Sequence, residues 1–152
     1  MKLATALSER ADIQRRISQL QTRLNNNAKV QEGEEPAENP KELLQELDTL
    51  LNRLQALMAQ INLTNSRTIS DGQTLTELIA RRDCLTKRVG IMRSFLDNAS
   101  ARADRYSQKE IKILSTVPVS TLQKQVDAVS RELREVDEHI QSLNWTTELI
   151  EN

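Results

Sequence analysis

At 152 residues and 17.3 kDa, the chain fits one domain long enough to bury a core. Three Gly, three Pro and one each of Phe, Tyr and Trp, against 28% charged residues, exclude a turn-dense β fold and favour helices. The 21 Lys and Arg offset 22 Asp and Glu to a net charge of −1, so no overall field recruits nucleic acid or an anionic membrane surface.

The first expected helix runs over about residues 2–27, with Leu3, Ala6, Ile13, Ile17, Leu20 and Leu24 on one stripe. Arg10 interrupts that stripe at a core position, so it must reach a carboxylate or a wet interface. An acidic loop follows, with Glu32, Glu34, Glu35 and Glu38 beside the turn residues Gly33 and Pro36. Asn39-Pro40-Lys41-Glu42 then sets a side-chain cap and a first-turn proline for a helix over about 40–62. Its Leu43, Leu47, Leu50, Leu54, Leu57 and Ile61 alternate steps of four and three, the spacing of a coiled-coil seam. Leu44, Leu51 and Met58 widen the stripe toward the breadth of a bundle core.

Residues 62–73 form a polar turn with Asp71-Gly72, and Thr74-Leu75-Thr76-Glu77 reads as a capping box for a third helix over about 75–103. Leu78, Leu85, Val89, Met92, Leu96 and Ala99 make its stripe, which Arg82 interrupts. A second apolar row, Cys84, Ile91 and Phe95, points away from the first. In the third connection Ile111 and Ile113 alternate with Lys112 and Leu114. Ser120-Thr121-Leu122-Gln123 reads as another capping box, opening a fourth helix over about 121–143. That helix carries the unbroken seam Leu122, Val126, Val129, Leu133, Val136, Ile140 and Leu143. The expected fold is all-α: a single domain over 1–152, built as an up-down-up-down four-helix bundle with coiled-coil-like packing. A short two-stranded β ribbon is expected from the first and third connections, pairing residues 28–32 with 110–116.

Catalytic constellations do not emerge. His139 is the only histidine, and it reads as a solvated residue of a charged helix. No Cys or His has a partner at metal-ligand spacing, and no glycine-rich phosphate loop exists. The expectation is a non-enzyme without cofactor or metal. Glu32, Glu34 and Glu35 are expected to pair with Arg102 and Arg105 at the exit of the third helix, and Arg10 and Arg82 to find carboxylates. A ligand or metal site built from the Arg-rich helix and the acidic loop is the weaker alternative. Cys84 cannot form an internal disulfide, which suits a reducing compartment. The longest apolar run, Ala56 to Ala59, is far from a membrane span, and Ser8-Glu9-Arg10 cuts short the apolar N-terminus, so the expected location is cytoplasmic. A helix with two apolar rows wants two partners, which makes Cys84, Ile91 and Phe95 the expected face of a homo-oligomer, with a dimer as the commonest unit.

Several polar segments also resemble the septicolysin-like family of small bacterial proteins. They are Val30 to Pro36, Asp71-Gly72 with Thr74-Leu75-Thr76, Ala80-Arg81-Arg82-Asp83, Asp104-Arg105-Tyr106-Ser107, Glu110-Ile111-Lys112 and Asn144 to Leu149. The resemblance implies a helical protein that assembles into homo-oligomers, a ring of six among them, and its name implies a pore-forming cytolysin. The leading expectation is a self-assembling helical protein that binds neither nucleic acid nor membrane, with the cytolysin as the alternative.

Overall fold

The structure is a computed structural model that describes residues 1–101 and 111–152. It is mainly helical, with α1 (Leu3–Asn26), α2 (Pro40–Arg67), α3 (Leu75–Ser100) and α4 (Val119–Thr146). A two-stranded antiparallel ribbon, β1 (Ile69–Ser70) and β2 (Gln73–Thr74), joins α2 to α3. The chain divides into two compact units, one of residues 1–75 with 142–152 and one of residues 76–141.

In the first unit α1 and α2 pack antiparallel, their register marked by ion pairs from Glu9 to Arg53 and from Arg23 to Glu38. Every seventh residue of α1 and its C-cap is buried (Ala6, Ile13, Leu20, Asn27), and so is every seventh residue of α2 (Leu43, Leu50, Leu57, Thr64). This is the heptad seam read from the sequence, closed at each end by a polar residue with work for its hydrogen bonds. Asn27 donates to the carbonyl of Arg23 (2.8 Å) and accepts from the backbone N–H of Glu38 (3.0 Å), tying the acidic loop to the end of α1. Thr64 donates to the carbonyl of Gln60 (2.7 Å) and accepts from the N–H of Ile150 (2.9 Å). Because Thr64 continues the seam, α2 runs on to Arg67 instead of stopping near residue 62. The start of α2 is as expected, with the Asn39 side chain accepting from the N–H of Lys41 (3.0 Å).

The ribbon is not where the connections suggested it. Residues 28–32 form no strand, residues 111–116 form none either, and residue 110 lies outside the described residues. The strands instead flank Asp71-Gly72, whose φ values of 51° and 79° give the two consecutive left-handed residues that a two-residue hairpin requires. Gly33 (φ 86°) supplies a separate turn in the acidic loop, where the N–H of Glu34 donates to the carbonyl of Gln31 (3.0 Å). Behind the hairpin, the N–H of Leu75 donates to the carbonyl of Thr68 (2.8 Å), and Leu75 is fully buried in the first unit.

Residues 147–150 close the first unit. The N–H of Leu3 donates to the carbonyl of Thr147 (2.9 Å), and the N–H of Leu149 donates to the carbonyl of Met1 (2.8 Å). Lys2 and the Met1 amine both face Glu148, at 2.6 and 3.5 Å.

In the second unit α3 and α4 also run antiparallel, with Leu96, Leu122 and Val126 clustered and Met92, Val117 and Val119 against them. Val129 and Leu133, in the middle of the α4 seam, are only half-buried. The helix starts two residues earlier than its sequence cap predicted, with the N–H of Leu122 bonded to the carbonyl of Pro118 (3.0 Å). Ser120 therefore lies inside the first turn, and Gln123 donates to Asp127 (2.9 Å) rather than back to a cap. The Pro118 ring fixes φ and ends the preceding chain there, an earlier boundary than the Ser-x-x-Gln pattern gives.

Candidate interaction surface on α3

The buried stripe of α3 uses Leu78, Leu85, Val89 and Leu96, with Met92 half-buried beside it. Beside that stripe, about 100° around the helix, Ile91 is 70% and Phe95 46% exposed, four residues or about one turn apart. Cys84 is exposed and carries a free thiol. Cys84 and Ile91, with Leu85 and Met92, form the apolar lining of an open groove of about 650 Å³. Arg81, Lys87, Arg88 and Glu132 complete its rim. Arg81 is held by Glu132 on α4 (2.6 Å), whereas Lys87 and Arg88 make no ion pair among the described residues. The result is an apolar row with a cationic edge. The row stands out in the sequence by its spacing; its cationic edge does not, because the sequence alone leaves open which cations of α3 are tied to carboxylates on α4.

The interrupting arginines part ways. Arg82, half-buried, finds its carboxylates in Asp83 (3.3 Å) and Asp137 (3.7 Å). Arg10 is half-buried on α1 and makes no ion pair among the described residues. Glu32, Glu34 and Glu35 are exposed, and their expected partners Arg102 and Arg105 lie outside the described residues. The carboxylate of that loop which is held is Glu38, gripped by the Arg23 guanidinium through three hydrogen bonds. That bonding holds Glu38 below the ordinary carboxylate pKa and raises Arg23. Arg53 does the same to Glu9, and Lys2 with the chain amine to Glu148. Each shift keeps a carboxylate ionised, which suits a clamp and is the opposite of what a general acid needs.

A second exposed row lies on α2. Leu44, Leu51 and Met58 are 51%, 43% and 46% exposed, so they do not widen a buried core as their spacing suggested. Each stands one residue, or about 100° of rotation, past a buried seam position, and α1 covers only the seam. Residues 111–114 also expose Ile111, Ile113 and Leu114. Among the described residues, no group of three or more His, Cys, Asp or Glu side chains is placed to hold a metal ion, and no helix is long and apolar enough to cross a membrane. His139 is half-buried on α4.

Residues 10–149 match the family of unknown function DUF6847. The chain belongs to that family. A crystal structure of a functionally unknown conserved protein from Corynebacterium diphtheriae is similar over 99% of both chains, at 44% identity and a TM-score of 0.92. No curated protein matches the chain. These matches overturn the septicolysin-like resemblance, since neither the DUF6847 family nor the corynebacterial protein carries it. Of the segments that suggested it, Asp71-Gly72 is a hairpin turn, Arg82-Asp83 a local ion pair, and residues 104–107 lie outside the described residues. The cytolysin reading rested on that name and falls with it.

Proposed function

We propose that this DUF6847 protein is a non-enzymatic helical protein that self-associates through the exposed row of α3. The observation that carries the reading is the pair Ile91 and Phe95, two large apolar side chains presented to water on one face beside an apolar groove. Burying a fully exposed side chain of this size contributes roughly 1.5–3 kcal/mol, and Ile91 and Phe95, at 70% and 46% exposure, keep a corresponding part of it to gain. Among the described residues, Glu9, Glu38 and Glu148 are held ionised by Arg53, Arg23 and Lys2, which supports a structural use of those charges. Light scattering tests the reading. The unmodified protein at micromolar concentration is expected at a multiple of 17.3 kDa, and the double variant Ile91→Glu with Phe95→Glu at lower mass with its helical circular dichroism intact. Loss of stability without any change in mass would contradict it.

A further inference from the structure

Resting on the self-association reading, we infer that the α3 row of one copy docks on the α2 row of a second copy, a head-to-tail contact rather than a twofold dimer. A twofold interface sets a patch against its own image. On α3 the charges beside the row that have no ion pair among the described residues, Lys87 and Arg88, are both cations, so a twofold contact offers them no free carboxylate. Cations left at the edge of a closing apolar contact without a counter-charge lose water and gain no partner.

The α2 row answers both needs of the α3 row. Leu44, Leu51 and Met58 recur every seventh residue on one face and are about half-exposed, a ready seam for a helix from outside. At 1.5 Å per residue the α2 row is about 21 Å long and the run from Cys84 to Phe95 about 16 Å, so one covers the other. The charges also match. Asp48, one turn from both Leu44 and Leu51, makes no ion pair among the described residues, Arg53 is occupied by Glu9, and the cation Lys41 lies beyond the N-terminal end of the row. An anion at the middle of the α2 row therefore faces a cationic edge on α3. Each copy keeps one row of each kind free after the first contact, so assembly continues until the geometry closes or the chains run on.

Mixing two variants tests this. One carries Ile91→Glu with Phe95→Glu and keeps the α2 row; the other carries Leu51→Glu with Met58→Glu and keeps the α3 row. Each alone is expected to be a helical monomer of 17.3 kDa by light scattering, and the equimolar mixture a 1:1 dimer of twice that mass. Serine substitutions at the same four positions give a milder pair where a glutamate variant loses its helical signal. An α2-row variant that keeps the unmodified protein's mass, or a mixture of two folded variants that stays monomeric, overturns the head-to-tail contact. Neither result touches self-association itself, which fails separately if the unmodified protein is monomeric.

Discussion

The two helix pairs use the same antiparallel hairpin but finish it differently. In the first unit the α1–α2 seam is capped by Asn27 at one end and Thr64 at the other, and the clamps Glu9–Arg53 and Arg23–Glu38 lie across it. Residues 147–150 then bond back onto Met1, Leu3 and Thr64. In the second unit α3 and α4 meet through a cluster at Leu96, Leu122 and Val126, while Val129 and Leu133 of the α4 seam stay half-buried and Ile91 and Phe95 face solvent. The comparison teaches that polar closure at the ends of a seam does not use up the apolar residues beside it: both units keep an exposed row, Leu44, Leu51 and Met58 on α2 and Ile91 with Phe95 on α3.

The largest effect expected is in the closed unit. Leu57 is fully buried and its neighbour Met58 is not. Leu57→Ala should lower unfolding stability by about 2–5 kcal/mol in a urea titration, and Met58→Ala by about 0.5 kcal/mol or less in the monomeric background of the α3 double variant. Equal costs would erase the distinction between seam and outer row. Next comes Thr64→Val, which keeps shape but leaves the N–H of Ile150 without its acceptor. A loss of about 1–3 kcal/mol is expected, with amide exchange at Leu149 and Ile150 rising before that of the seam residues.

Acid should act on the clamps. Glu9, Glu38 and Glu148 have folded-state pKa values below the ordinary 4.5, so their contribution is full above that value and is lost as pH falls through the lower folded value. Stability of the unmodified protein should therefore drop on acidification below 4.5, and the double variant Arg53→Met with Arg23→Met should show a shallower drop. Identical acid profiles would mean that the pairs are not formed. Because the Arg53 and Glu9 side chains are 39% and 33% exposed, Arg53→Met alone at neutral pH is expected to cost only about 0.2–1 kcal/mol, an effect as small as that of Met58→Ala.

Helix number, type and most starts were legible because the seams of α2 and α4 are strict heptads and Asn39-Pro40 is a strong cap. What was not legible follows from tertiary context. Leu44 and Leu43 are the same residue type one position apart, and only the presence of α1 on one side decides that Leu43 is buried and Leu44 is not. Asp71-Gly72 was readable as a turn, yet the ribbon was assigned to longer connections, since strands of two residues leave no alternation to detect. On α3, Cys84, Ile91 and Phe95 stood out by their spacing, and the structure brings Cys84 and Ile91 to one groove. The cationic rim needed coordinates, because Arg81 is tied to Glu132 on another helix while Lys87 and Arg88 are not.

The measurement closest to the central claim is the mass of the unmodified protein in solution, followed by light scattering from about 1 to 100 μM, a range in which moderate interfaces of this kind assemble. A mass that is a multiple of 17.3 kDa, falling toward 17.3 kDa on dilution, is the predicted result. A constant 17.3 kDa across the whole range would contradict it.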